Sequence, residues 1–162
     1  MTSKIIQMNK AKAHAEAVRA SGKRIVFTNG CFDLLHVGHV RYLAAARALG
    51  DHLVVGLNGD ESVGALKGTG RPINNERDRA EVLAALESVD SVVVFPEVRA
   101  TRLLEMIRPN VYVKGGDYSP DSLNAEERGA LDKIGAEIRI LPFESGYSTS
   151  ALIEKLNDDT RK

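Results

Sequence analysis

Five consecutive non-polar residues in the middle of the chain constrain its fold more than any other feature. The run is Leu53-Val54-Val55-Gly56-Leu57. A strand that faces water on one side alternates apolar and polar residues, whereas an uninterrupted apolar run is typical of a strand buried on both faces. Such strands belong to parallel sheets that are covered by helices on both sides. The run therefore predicts an α/β protein.

Strands and helices alternate along the rest of the sequence, joined by short connections. We predict strands at residues 24–28, 52–58, 91–95, 111–114 and 137–141. We predict helices at residues 9–20, 37–49, 60–66, 76–87, 100–107, 123–134 and 149–156. Right-handed crossovers then give a doubly wound, five-stranded parallel sheet. The 162 residues fit one domain, with a core over about residues 24–156.

Charge balance and cysteine content narrow the classes of function. Lys and Arg total 22, as do Asp and Glu, so the net charge is zero and we expect neither a nucleic-acid partner nor membrane binding. No apolar run reaches the ~18 residues that span a bilayer. Residues 1–12 lack the apolar core of a signal peptide, so we expect a cytoplasmic protein. The single cysteine, Cys31, excludes an internal disulfide and a cysteine zinc cluster.

Two histidines follow the first predicted strand at the start of a helix. His36 and His39 are three residues apart, which places both rings on one face of the first turn. A helix N-terminus offers unpaired N–H groups and a positive dipole end, so it favours polyphosphates. Gly38 lies between them and lets a ligand approach the backbone. Because a pair at this spacing also arises by chance, the pair alone leaves a structural role open.

Polar and glycine-rich segments follow most of the predicted strands. Ligands of doubly wound sheets bind beyond the carboxyl ends of the strands, so we expect these segments to converge on one site. They contain Asn29, Gly30, Asp33, His36, His39, Asn58, Asp60, Lys67, Lys114, Gly115, Gly116, Asp117, Glu144, Gly146, Ser148 and Thr149. No Gly-x-Gly-x-x-Gly follows the first strand, which excludes a nicotinamide-dependent dehydrogenase.

Several of these segments carry a family resemblance. Gly30-Cys31-Phe32-Asp33, then His36-Val37-Gly38-His39 and later Gly146-Tyr147-Ser148-Thr149-Ser150, resemble the cytidylyltransferase-like nucleotidyltransferases. The run Val113-Lys114-Gly115-Gly116-Asp117-Tyr118 and the run Arg71-Pro72-Ile73-Asn74 are similar to the heptose 1-phosphate adenylyltransferases within that superfamily. Related cytidylyltransferases carry Arg-Thr-Glu-Gly where this chain has Phe143-Glu144-Ser145-Gly146, which favours the heptose branch. The resemblance implies a Rossmann-like fold with the His-x-Gly-His motif.

The resemblance also implies a reaction: AMP passes from ATP to D-glycero-D-manno-heptose 1-phosphate, giving ADP-heptose and pyrophosphate for lipopolysaccharide or another surface glycan. It implies His36, His39 and Lys67 as catalytic residues. The nucleotide-binding residues would be Asn29, Gly30, Cys31, Phe32, Asp33, Gly38, Lys114, Gly115, Gly116, Asp117, Ser148 and Thr149. Arg71 and Arg79 would bind substrate. We expect no preformed metal site, because Mg²⁺ would arrive with ATP.

The implied partners are ATP, a sugar 1-phosphate, a separate heptose kinase upstream and a second copy of the chain in a homodimer. Three alternatives stay open: a cytidylyltransferase for glycerol 3-phosphate or another alcohol phosphate, adenylyl transfer to phosphopantetheine, and a nucleotide-binding regulatory module without catalysis. The sequence decides neither the anomer of the sugar phosphate nor the choice among ATP, GTP and CTP.

Overall fold

A computed structural model describes residues 3–116, 119–142 and 145–161. The strands in this part of the chain are β1 (Ile5–Ile6), β2 (Ile25–Gly30), β3 (His52–Asn58), β4 (Ser91–Phe95), β5 (Val111–Gly115) and β6 (Glu137–Leu141). The α-helices are α1 (Ala11–Ala20), α2 (Val37–Arg47), α3 (Asp60–Lys67), α4 (Glu76–Ala84), α5 (Thr101–Ile107), α6 (Ala125–Ile134) and α7 (Thr149–Asp159). Short 3₁₀ turns cover Met8–Lys10 and Pro120–Ser122.

The six strands form one parallel sheet in the order β1-β4-β3-β2-β5-β6. From β2 the chain winds outward through β3 and β4, and then returns to the other side of β2 to form β5 and β6. The winding direction therefore reverses at β2, where a doubly wound sheet opens its ligand crevice. The turn after β2 carries both histidines.

The expected parallel α/β sheet is confirmed, but the expected count of five strands is wrong. Ile5–Ile6 adds a sixth strand, which pairs with Val92 and Val93 of β4 at the sheet edge. Two residues are too short to show the periodicity that identifies a strand. The strands expected at residues 52–58, 91–95 and 137–141 have those bounds, whereas the helix expected from residue 9 begins as a 3₁₀ turn and becomes α-helical at Ala11.

Apolar side chains fill both faces of the sheet. One face packs against α1, α5 and α6 through residues such as Ala15, Leu104 and Leu131. The other packs against α2 and α4 through residues such as Leu43 and Leu83. Both faces of the central strands are covered, as the apolar run in β3 predicts. In the described ranges, no helix has the length and apolar character needed to cross a membrane.

Candidate active site

A cleft of about 500 Å³ lies over the carboxyl end of β2 and its neighbours. It has the size of an ordinary small-ligand site. Predicted site residues that line it are Asn29, Gly30, Cys31, Phe32, Asp33, His36, His39, Lys67, Arg71, Lys114, Gly115, Ser148 and Thr149. Residues from the ends of β2, β3 and β5 and from the start of α7 thus meet in one place, as the topology requires.

The two histidines form a stacked pair at the start of α2. His36 is the N-cap in an extended conformation, and His39 is the third residue of the helix. Their ring centroids are 3.8 Å apart, with the planes inclined by 28°. Nδ1 of His39 accepts a hydrogen bond of 3.3 Å from the backbone N–H of His36. Since Nδ1 is an acceptor, neutral His39 carries its proton on Nε2 and can donate it to a ligand.

Both imidazoles are held in their neutral form. Burial, followed by the charge of His36, lowers the pKa of His39 from 6.5 to about 4. Burial also lowers the pKa of His36. Two stacked imidazolium rings would repel each other, so uptake of one proton opposes uptake of the next. Near neutral pH the pair therefore offers neutral N–H donors rather than positive charge.

Phe32 and Gly38 fix the positions of these rings. Phe32 adopts a left-handed backbone conformation with φ of 44°, which is uncommon for a bulky residue. Its ring meets His39 edge-on at a centroid distance of 5.4 Å. A Cβ atom on Gly38 would lie 2.8 Å from the His36 ring and 3.1 Å from Cβ of Tyr147. Gly38 is required here because the imidazole occupies the space of its absent side chain.

The start of α7 is attached to the histidine turn. Oγ1 of Thr149 donates to the carbonyl of Leu34 at 3.1 Å, and the Tyr147 ring stacks on His36 at 6.2 Å. Ser148 is the N-cap of α7, because its Oγ accepts from the backbone N–H of Ala151 at 3.0 Å. Two helix N-termini, those of α2 and α7, consequently border one cleft, and each favours anions.

Asp33 is committed to the loop that follows α3. Its carboxylate accepts from the backbone N–H groups of Ile73 and Asn74 and from Nε of Arg71, at 2.8–3.0 Å. Burial raises the pKa of the Asp33 carboxyl, but these donors outweigh burial and leave the pKa below its ordinary value. Both oxygens are used, so Asp33 positions the cationic loop rather than offering a ready metal ligand.

Arg79 lies behind the cleft and is 2% exposed. Its guanidinium donates to three carbonyl oxygens and one carboxylate, those of Asn74, Cys31, Asn58 and Asp60. The structure does not bring it among the residues that line the cleft. Its expected contact with substrate stays a prediction, and its contacts favour the role of a clamp that holds the turns after β2 and β3.

Of the remaining predicted residues, some line the cleft, one lies beside it, and one lies outside the described part of the chain. Lys67 is exposed at the end of α3, next to a loop in which Gly68 and Gly70 both have positive φ. Burial raises the pKa of the Cys31 thiol, which does not favour a nucleophile. Gly116 closes β5 by donating to the carbonyl of Leu141 and is not among the cleft residues. Asp117, like the distinctive Phe143-Glu144 pair, lies outside the described residues.

Asn58, which the sequence analysis expects at this edge of the sheet, also lines the cleft. Other cleft residues were assigned no role from the sequence: Tyr42, Leu66, Val98, Arg99, Glu127, Tyr147 and Ser150. The Tyr42 hydroxyl binds Oγ1 of Thr28 at 2.8 Å, and burial raises its pKa to about 12. From the sequence, Tyr42 is predicted to be a core residue, because it lies beside Leu43 in an apolar part of α2. Glu127 has the sequence context of an ordinary acidic residue in the first turn of a helix, so nothing marks it as a site residue.

The described carboxylates of this cleft do not form a metal cage. Within the described ranges, no group of three or more His, Cys, Asp or Glu side chains could hold a metal ion.

The fold and the cleft define a class of protein: a doubly wound α/β protein whose switch-point cleft is bordered by two helix N-termini and several cations, features that favour anions. The family model described as cytidylyltransferase-like matches residues 27–155. The chain belongs to the cytidylyltransferase-like family, and the resemblance found in its sequence is confirmed.

Similar proteins agree with this assignment. A bifunctional protein HldE from Geotalea uraniireducens is 48% identical over 99% of this chain, and another from Bradyrhizobium sp. is 50% identical over 98%. The match takes in 32% of each, so the chain spans about a third of their length. A lipopolysaccharide core biosynthesis protein from Thermoplasma volcanium has a TM-score of 0.62 and 28% identity, over 78% of this chain and all of that one. A pantoate-beta-alanine ligase from Francisella tularensis, with a TM-score of 0.60 over 99% of this chain and 80% of its own, is 12% identical and shares the fold.

Proposed function

We propose that this chain transfers AMP from ATP to D-glycero-D-manno-heptose 1-phosphate, releasing pyrophosphate and forming ADP-heptose for lipopolysaccharide or another surface glycan. The observation that carries the proposal is the pair of neutral, stacked imidazoles, His36 and His39, beside the N-terminus of α7. Similarity to bifunctional HldE proteins and to a lipopolysaccharide core biosynthesis protein supports the choice of substrate.

The chemistry needs positioning and charge stabilisation rather than a base. An oxygen of the sugar phosphate is already ionised, and it forms a bond to the α-phosphorus as the bond from that phosphorus to the bridging oxygen breaks. Pyrophosphate leaves with the electron pair, so negative charge grows on the leaving group. Preorganised donors aimed at such charge give large rate effects. Nε2–H of His39 and the backbone N–H groups at the start of α7 are donors of this kind.

The cations of the cleft would hold the two anionic substrates together. Lys67 has a glycine-rich loop beside it, and Arg71 is held at the rim by Asp33. Lys114 and Gly115, at the end of β5, would lie under the nucleoside. Holding both reactants in line removes much of the entropic barrier to a bimolecular reaction. A divalent metal, Mg²⁺ by expectation, would bind the phosphates of ATP and neutralise part of their charge.

The proposed partners follow from the same comparison. The relatives named HldE are bifunctional and about three times as long as the match, which weighs against the expected separate heptose kinase. The homodimer stays a prediction.

Pyrophosphate release tests the function directly. ATP, GTP and CTP are each paired with both anomers of heptose 1-phosphate and with glycerol 3-phosphate, in the presence of Mg²⁺. We expect release with ATP and one heptose anomer. Release with CTP and glycerol 3-phosphate alone would establish the cytidylyltransferase alternative, and no release in any pairing would favour the regulatory binding module. The His39→Ala protein is the control for contaminating activity.

A further inference from the structure

The cleft has two halves, which lie on either side of β2 in the sheet. One half is bordered by β5, β6 and the N-terminus of α7, where Thr149 contacts the histidine turn. The other half lies toward β3 and β4, whose carboxyl ends lead to Asn58, Val98 and Arg99. Because an in-line reaction needs its acceptor opposite the leaving group, the half away from α7 is where the acceptor must approach. The sequence predicts Asn58 at this half of the cleft, whereas it assigns no role to Val98 or Arg99.

Glu127 is the unusual residue of the acceptor half. It is the third residue of α6, it lines the cleft, and it is 4% exposed. A carboxylate this buried is costly unless it is hydrogen-bonded. Oε1 accepts from the backbone N–H of Ala100 at 3.0 Å, which places Glu127 beside the turn between β4 and α5. Although α6 follows β5, the Glu127 carboxylate thus reaches the start of α5, directly after Val98 and Arg99 of the acceptor half.

Much of the hydrogen-bonding capacity of Glu127 is unused by the protein. An ionised carboxylate offers about four acceptor positions. Among the described residues, the Ala100 N–H is the one donor to the Glu127 side chain, and no Lys or Arg pairs with it. The remaining acceptor positions are available to a molecule in the cleft.

The charge of Glu127 selects the kind of group it can bind. A carboxylate repels phosphate, and it accepts hydrogen bonds from neutral donors such as hydroxyl groups. The acceptor of the proposed reaction has a phosphate at one end and several hydroxyls at the other. We propose that Glu127 binds hydroxyl groups of the acceptor sugar and selects polyhydroxylated acceptors, while the cations and histidines bind the phosphates. This inference rests on the proposed function for the identity of the acceptor.

The substitution Glu127→Gln tests the inference. Glutamine has the same shape, and its amide oxygen can still accept from Ala100, so the turn keeps its anchor. We expect the KM for the sugar 1-phosphate to rise by at least about 10-fold, the scale of one hydrogen bond to a charged group. The KM for ATP should change by less than about twofold on the same grounds, since ATP makes no such bond. Glu126→Gln, at an exposed neighbouring position of α6, should leave both constants unchanged.

A second test of the inference uses a deoxy analogue of the acceptor sugar. The wild-type protein should lose affinity for an acceptor without the contacted hydroxyl, whereas the E127Q protein should barely distinguish it from the parent sugar. An equal rise in the KM for ATP would show that Glu127 binds the nucleotide. A lower melting temperature with unchanged KM values would show that it merely anchors the β4–α5 turn. Either result overturns the inference.

Failure of the proposed function has a different signature. It appears in the wild-type protein as a preference for another nucleotide and acceptor. In that case the same variant is judged on the KM for the alcohol phosphate that is used, and an unchanged value overturns the inference. If no pair turns over, calorimetry of heptose 1-phosphate and glycerol 3-phosphate decides, since equal binding by wild-type and E127Q protein, or no binding by either, overturns it.

Discussion

Replacing Arg79 by methionine should destabilise the fold while leaving substrate affinity intact. The guanidinium is 2% exposed and donates to three carbonyl oxygens and to Asp60. Methionine fills similar space without donors, so it leaves those acceptors unpaired. A buried acceptor without its donor costs about 1–3 kcal/mol, and the Asp60 side chain is 40% exposed, so we expect a loss of about 3 kcal/mol for the whole set. For a domain of this size each kcal/mol lowers Tm by about 2–4 °C, so we expect a fall of roughly 6–12 °C.

Thermal melts by circular dichroism and urea titrations would measure the loss of stability. The matched control is Arg77→Met on the same helix, where the side chain is 76% exposed and its contact with Glu81 is 3.6 Å long. Exposed pairs of this kind contribute about 0–1 kcal/mol, so its Tm should hardly move. KM values at 20 °C below the melting point would complete the comparison. The structural role of Arg79 would be refuted if the R79M protein kept its stability while its KM for a phosphorylated substrate rose about 10-fold. That result would identify Arg79 as a substrate ligand.

Three further predictions concern the histidine pair. His39→Ala should lower kcat by at least about 10²-fold, the scale of one charge-stabilising donor, with an unchanged circular dichroism spectrum; near-normal turnover would remove His39 from the mechanism. Gly38→Ala should abolish most activity, because its Cβ would meet the His36 ring at 2.8 Å, whereas Gly129→Ala in α6 meets nothing within 4 Å and should keep full activity in the same assay. His39 has a pKa of about 4 in the fold against 6.5 when exposed, so the unfolded chain takes up its proton first as pH falls. Urea midpoints at pH 7, 5.5 and 4.5 should therefore show the stability of the wild type falling toward that of the H39A protein, and a constant difference would contradict the buried neutral imidazole.

Local sequence signals account for the parts of the fold that were predicted well. The β3 strand has its expected bounds because seven residues between Asp51 and Gly59 carry a continuous signal. The β1 strand was missed because Ile5 and Ile6 form a strand only by pairing with Val92 and Val93, which are far away in sequence. Short edge strands of this kind depend on tertiary context more than on propensity.

In the site, as in the fold, features set by neighbouring residues could be predicted from the sequence, whereas contacts between distant residues could not. The histidine turn and the start of α7 at residue 149 could be predicted because the signal for each lies within a few residues. The uses of Asp33 and Glu127 could not, since the first is fixed by a loop about 40 residues away and the second by a backbone N–H 27 residues away. Nothing in either local sequence distinguishes a buried carboxylate that anchors a loop from one that faces a ligand.

The local charge of the cleft would allow a neutral chain to bind the two anionic substrates of the proposed reaction. The net charge is zero, so the protein as a whole exerts little attraction on phosphates. The described lining residues nevertheless include four cations, Lys67, Arg71, Arg99 and Lys114, against two carboxylates, Asp33 and Glu127. Asp33 is paired with Arg71, so the excess positive charge lies on the other cationic side chains around the neutral histidines. Neutral donors at the centre with cations around them suit the proposed reaction, in which charge moves from one phosphate to the next. A fixed positive centre would bind ATP and pyrophosphate so firmly that product release would slow.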